Sequence, residues 1–510
     1  MRNRLLILIF FILHCSNIIA QVSPLWDLIP NLPQESGGYK VLTDHSNNVY
    51  VCGYDSSYTN QPGAYKNLVL YKTDPAGNYI WHLTFSTYSS FGMVMDDSDF
   101  IYLDINGITK IDTSGNIVWQ NNSIIPADTN YQQPVRGNLS YIDKKRNIYS
   151  TGLIVYKPNG QYDICLAKFD STGNFLWNAV WTSYPPHITQ DHVYGIEVDN
   201  QNNIYICGAE DYFASYGDGN AILLKYDANG VLKWEYKYSG IQSKNDNFLY
   251  LAIDSNQNIY LAGNENADND YRSAMLLKID SSKNLIWKIN YSSPTNQRDA
   301  ASSLKVDTLN NIYFSGSYYG TSIFLSKYSE SGVLIWSLLQ PPPFIGSYYI
   351  NEMTIDHQGN VILIGNQMDS LFVSSINSNG VIGFLSKYPK GGGYGAKSVG
   401  IDQLDNILVT GGLQGSKMII LKYGNFFSGM NEISNLNSIK LFPNPSKGKF
   451  YINDNDIEIN EIDIFDFKMT FIKSFSFTNH FDLSMYPAGI YFYTVKSKDG
   501  KMFYGKIIKL

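Results

Sequence analysis

VDNQNNIYICG at residues 198–208, followed by AILLKYDANGVLKW at 221–234, is one of several closely similar units in this chain. It returns as IDSNQNIYLAG (253–263) with AMLLKIDSSKNLIW (274–287), and as VDTLNNIYFSG (306–316) with SIFLSKYSESGVLIW (322–336). The opening aspartate recurs as Asp44, Asp96, Asp143, Asp199, Asp254, Asp307, Asp356 and Asp402. The separations of 52, 47, 56, 55, 53, 49 and 46 residues are those of an array whose unit is a small sheet.

Each copy parses into four short strands. Segments such as YLAID, NIYLAG, MLLKID and LIWKINY are rich in β-branched and aromatic residues, with Asn, Asp, Gly and Ser between them. The third strand is nearly all apolar, as when both sheet faces are covered, and the fourth alternates, as in VLKWEYKY. Units of this kind predict an all-β, eight-bladed β-propeller. Trp81, Trp119, Trp177, Trp234, Trp287 and Trp336 each follow a lysine by nine residues, at Lys72, Lys110, Lys168, Lys225, Lys278 and Lys327. The seventh copy has lost that lysine and carries Phe384 in the Trp slot, and the eighth ends at LKYGN (421–425) without a fourth strand. Trp26 stands 18 residues before Asp44, so residues near 23–30 are expected to pair with the last blade and close the ring. Copy two departs most, lacking the usual Gly, and a seven-bladed ring with one irregular insertion is the alternative.

These units resemble the β-propeller repeats of secreted bacterial proteins, a resemblance specific to the fold and weak for function. The ends of the chain point the same way. Arg2 and Arg4, the apolar run Leu5 to Leu13, and Ile18-Ile19-Ala20 read as a signal peptide over 1–20. Cys15 is preceded by His14, where lipoproteins resemble one another in having a small residue, so lipidation is not expected. Domain boundaries read as 21–424 for the propeller, 425–437 for a linker and 438–510 for a small immunoglobulin-like β-sandwich. Three stretches mark that sandwich: LFPNPSKGKFYI (441–452), EIDIFDF (461–467) and FDLSMYPAGIYFYTVKSKDGKMFYGKIIKL (481–510). Together they resemble the type A sorting domain of type IX secretion substrates of Bacteroidetes, with Pro443, Asn444, Pro445, Gly489, Tyr491, Lys506 and Leu510 on the motif. The resemblance implies passage through an outer-membrane translocon, a sorting protease cutting near the linker, and release or attachment to surface lipopolysaccharide. The location expected is therefore secreted or at the cell surface.

Composition narrows the function classes. Charged residues are 16% of the chain, against about 25% in typical soluble domains, and there are 40 Tyr. A net charge of -7 offers no basic patch for a phosphate backbone, so nucleic acid is not an expected partner. Beyond the signal segment remain Cys52, Cys165 and Cys207, an odd number that reads as core thiols rather than a disulfide framework. Asp199, Gln201 and Asn203 alternate as in some calcium loops, but each turn has one acid and no downstream bidentate Glu. They read as turn formers, and no cofactor is expected. The seven His are scattered, with no zinc spacing, no G-x-S-x-G and no phosphate-cradling loop, so a non-enzymatic role leads.

Loop lengths supply the remaining clue. Turns between first and second and between third and fourth strands are short and uniform, whereas the other two connections vary, which gathers all variable loops at one end of the ring. They carry Tyr54, Tyr58, Tyr65, Asp211, Tyr212, Phe213, Tyr216, Tyr271, Arg272, Tyr318, Tyr319, Phe344, Tyr348 and Tyr349. Tyr with Asn and Gly suits recognition of a glycan or protein, although the same rings could simply pack the loops. A polysaccharide-acting enzyme using Asp211, Asp218, Asp268 or Asp270 is the second reading, and a structural envelope component the third.

Overall fold

In the computed structural model the described residues are 22–32, 35–55, 67–86, 92–105, 107–121, 130–183, 190–210, 219–240, 244–266, 272–291, 299–318, 322–339, 348–391, 393–415, 417–425, 441–442, 446–452, 459–465, 471–476, 478, 480–487, 489–498 and 502–509. The proposed signal peptide and most of the proposed linker lie outside them. The chain divides into two compact units, Met1–Gly424 and Asn425–Leu510.

The first unit contains eight four-stranded antiparallel sheets, the blades of the propeller. Blades 1 to 7 span residues 36–86, 93–121, 131–181, 192–238, 244–291, 299–339 and 348–389, each with its strands in chain order. Blade 8 takes Gly395–Ile401, Ile407–Leu413 and Lys417–Tyr423 from one end of the unit and Trp26–Leu28 from the other. Trp26 pairs with Lys422 and Leu28 with Ile420. The first strands of successive blades pack side by side, and that of blade 8 meets that of blade 1. The ring is thus closed by both ends, as the lone Trp26 suggested.

The recurrent aspartate closes the turn between first and second strands. In blade 4, Asp199 Oδ1 accepts the N–H of Gln201 (2.9 Å) and Asn203 (2.8 Å), and Oδ2 accepts Asn203 Nδ2 (2.8 Å) and Tyr205 OH (3.3 Å). The same donors serve Asp44, Asp143, Asp254 and Asp307. The spacing D-x-x-x-N-x-Y is therefore a turn that also ties down the buried tyrosine of the second strand. A cation at Asp199 would have to displace these donors.

In blades 1, 3, 5 and 6 the lysine and tryptophan of the copy latch one blade to the next. Lys168 Nζ and Trp177 Nε1 both donate to Ala228 O in the third-to-fourth-strand turn of blade 4, each at 3.3 Å. The same pairing runs from Lys72 and Trp81 to Thr113 O, from Lys278 and Trp287 to Glu330 O, and from Lys327 and Trp336 to Ser378 O. Each of these indoles lies against a glycine of the receiving turn, such as Gly230 at φ +80°, where a Cβ would come within 2.6 Å of Trp177. At the closure, Lys422 and Trp26 donate to Pro75 O and Trp26 covers Gly77, so blade 8 grips blade 1 as those blades grip their neighbours.

This geometry explains why the seventh copy lacks both residues. The latch needs a third-to-fourth-strand turn in the following blade, and blade 8 has none, because its fourth strand comes from the other end of the unit. Ser375 and Phe384 occupy the two positions in blade 7, and Phe384 stacks on Tyr423 of blade 8 at 6.2 Å. Tyr388 OH adds a bond to Asp27 Oδ2 (2.5 Å).

Copy two puts Asp104 where the others have Cys52, Thr151 or Cys207, just before the position of the missing Gly. The side chain is buried against blade 3, with Ser150 Oγ donating to it (2.5 Å), and burial pushes its carboxyl up to about 6. The three cysteines are buried free thiols, and burial raises Cys52 and Cys165 to about 12.

The second unit packs a three-stranded sheet, containing Lys449–Ile452, and a four-stranded sheet, containing Ile459–Phe465 and Gly489–Ser497, around Phe450, Ile462, Leu483 and Val495. It is a small β-sandwich.

Candidate functional site

The variable connections all lie at the end of the ring where second strands finish and third strands begin. Here the described side chains form a set of loop anchors. In blade 5, Glu265 accepts Tyr238 OH (2.9 Å), Lys288 Nζ (2.8 Å) and Asn290 Nδ2 (2.5 Å). Burial alone would raise this carboxyl, but the three donors outweigh it and hold it below the usual range. Asp246 is fully buried and accepts the backbone N–H of Gly240 (2.5 Å) and Asn266 (2.8 Å), and burial still pushes it up to about 6. Glu210 takes Asn220 Nδ2 and Lys237 Nζ, each at 2.5 Å, and Asp191 takes Ser183 Oγ at 2.7 Å. These acids bind together the described residues that flank 184–189, 211–218 and 241–243, which makes a fixed frame of that end of the blades.

The inner wall carries charge as well. Lys40 of blade 1 reaches Glu352 of blade 7 at 3.3 Å, and Val399 N–H donates to Glu352 Oε2 at 2.8 Å. Glu197 of blade 4 is raised to about 7 by burial, opposed by Lys305 of blade 6. Among the described residues no group of three or more His, Cys, Asp or Glu could hold a metal ion, and no helix is long and apolar enough to cross a membrane.

The sequence candidates divide into three sets. Tyr54 is 2% exposed on the second strand of blade 1 with its ring 5.6 Å from Tyr39, and Tyr348 is fully buried edge-on to Phe372 at 5.2 Å. These two rings pack the blades and do not belong to a loop surface, because the second strand of blade 1 is buried on both faces and alternation along the first strand of blade 7 turns Tyr348 inward. Arg272 opens the third strand of blade 5, its Nε donating to Asn266 Oδ1 (3.0 Å), and Tyr318 ends the second strand of blade 6 opposite Asp299. Tyr58, Tyr65, Asp211, Tyr212, Phe213, Tyr216, Tyr271, Tyr319 and Phe344 lie outside the described residues, as do Asp218, Asp268 and Asp270.

On the sorting motif, Gly489 and Lys506 lie on the paired last two strands, and Tyr491 is buried with its OH on Pro487 O (2.7 Å). Pro443, Asn444, Pro445 and Leu510 lie outside the described residues. Tyr349, expected at the loop end, is 48% exposed, and beside it sequence reasoning missed Met368 at 76% and Tyr394 at 59%. The signal for these two was the shortness of the connections that carry them, 368–369 and 390–394.

Residues 440–509 match the family of secretion system C-terminal sorting domains. Among curated proteins no relative matches the chain. Similar solved structures include PorZ, an essential surface component of the type-IX secretion system of Porphyromonas gingivalis, at 10% identity and a TM-score of 0.40, covering 92% of this chain and 70% of that one. The Dos1 propeller is similar at 13% identity and a TM-score of 0.49, covering 79% and 96%. A Lactobacillus plantarum protein follows at 13% identity and a TM-score of 0.42, covering 69% and 96%. Likeness at this level is shared by propellers of unrelated activity.

Proposed function

We propose, on the premise that residues 440–509 are a secretion system C-terminal sorting domain, that this propeller is a type IX cargo working outside the cell as a non-enzymatic binding module. An N-terminal signal peptide takes it to the periplasm, and the secretion machinery and its sorting protease take it on, ending in release or attachment to surface lipopolysaccharide. Its variable-loop end receives a glycan or a protein. The observation that carries the binding part is the anchoring of that end: Glu265, Asp246, Glu210 and Asp191 are committed to loop feet and to two lysines, Lys288 and Lys237, an arrangement that favours holding a ligand.

The test is a glycan-array screen with the purified full chain, followed by the double substitution Tyr212→Ala and Tyr216→Ala. A concentration-dependent hit weakened by the double substitution, with unchanged far-ultraviolet circular dichroism, is the expected result. Turnover of the bound glycan would replace binding by catalysis.

A further inference from the structure

The chain is acidic as a whole, yet the loop end of blades 7 and 8 is not. Lys387 lies near the end of the fourth strand of blade 7, Lys390 in the connection to blade 8, Lys397 near the start of the first strand of blade 8, and Lys417 begins its third strand. All four are at the variable-loop end, against two described acids there, Asp369 and Glu35 in the segment leaving blade 8, in a protein of net charge -7. The acids Asp356, Asp402 and Asp405 of the same blades are in the turns at the opposite end.

Exposed large hydrophobic residues stand beside these lysines. Leu232, Ile286, Leu334 and their counterparts ring the outer strands near the uniform turns. At the loop end of blades 7 and 8 and in the segment leaving blade 8 are Tyr349, Met368, Tyr394 and Ile29.

The sector is also built rigidly. Asn366 faces Tyr349 across the strand pair, and its amide accepts Ala396 N–H (3.1 Å) and donates to Tyr394 O (3.4 Å), which fixes the two aromatic positions together. Lys390 N–H donates to Asp369 O (2.8 Å) and Gln414 N–H to Lys390 O (2.7 Å), joining the short connections of both blades. Flat aromatic area beside excess ammonium groups, on a frame that needs no ordering, matches a sugar ring carrying a carboxylate or sulfate.

We infer that the loop end of blades 7 and 8 is a binding platform for an acidic polysaccharide, with Tyr349 and Tyr394 stacking on sugar rings and Lys387, Lys390, Lys397 and Lys417 meeting the anionic groups. The inference rests on the binding-module reading and names its ligand class and its place.

The experiment uses the full chain with three probes: oligogalacturonate, its carboxyl-reduced neutral counterpart, and a sulfated dextran oligosaccharide. Binding is measured by calorimetry at low and at about 0.5 M salt, where screening shortens the reach of surface charge. Oligogalacturonate or the sulfated probe should bind, and the neutral counterpart at least tenfold more weakly. Lys387→Ala with Lys417→Ala, both exposed, should cost about tenfold, and Tyr394→Ala a similar factor, with circular dichroism unchanged. Which anionic probe binds more tightly assigns carboxylate or sulfate. Equal binding of the neutral and acidic probes, or lysine variants that bind like the parent, overturns the inference. Neutral-glycan binding lost only on substituting Tyr212 and Tyr216 would sink it while leaving the binding-module reading standing. Failure of every glycan and protein ligand would sink both.

Discussion

Replacing Trp26 with Ala tests the ring closure on which the fold depends. The Trp26 indole covers Gly77 of blade 1 and donates to Pro75 O at 3.1 Å, while its strand supplies the outer edge of blade 8. Trp336 makes the corresponding contact inside the ring, over Gly380 and to Ser378 O at 2.9 Å. A fully buried Trp→Ala costs about 3–5 kcal/mol, and a half-buried one with a single hydrogen bond about 2–3 kcal/mol. Trp26→Ala and Trp336→Ala should therefore lower the unfolding free energy by similar amounts, read from urea denaturation of the full chain by tryptophan fluorescence and far-ultraviolet circular dichroism. The comparison matters more than either value, because one residue is near the start of the chain and the other in its interior. A Trp26 variant as stable as the parent, beside a destabilised Trp336 variant, would refute the closure.

Asp104→Asn should change how stability depends on pH. The folded carboxyl is raised from near 3.8 to about 6 by burial, so its favourable contribution is complete below the unfolded pKa and is lost as pH rises through 6. The shift corresponds to about 3 kcal/mol, so the Asn variant should exceed the parent at pH 8 and lose that advantage at pH 4, and parallel curves would count against it. Glu197→Gln should act in the same direction over a window reaching about 7. Calcium or a chelator should leave the thermal midpoint unchanged, since the turn carboxylates are already filled by donors, and a rise with calcium would reopen the metal reading.

The propeller fold was legible because each recurring position of the repeat has a local job. Asp199, Asn203 and Tyr205 close one turn, and Lys168 and Trp177 reach across to the next blade, so spacing alone carried the architecture. Even the exceptions were informative: Trp26 without a repeat and a repeat without its tryptophan are the two sides of one closure. Copy two, the most divergent, still forms a short four-stranded sheet of its own. The loop end was less legible. Tyr54 and Tyr348 look like loop tyrosines in the sequence and are buried on strands, since burial depends on which way a strand residue faces. The lysines of blades 7 and 8 are spread from 387 to 417, and only the return of strands to the same end collects them.

The last domain is what sends this propeller out of the cell. The direct measurement is fractionation of a type IX-competent Bacteroidetes host expressing the intact chain or the chain without residues 438–510. The intact chain should be at the surface or in the medium and the shortened chain held in the periplasm. A shortened chain that reaches the exterior as well as the intact one would contradict the account.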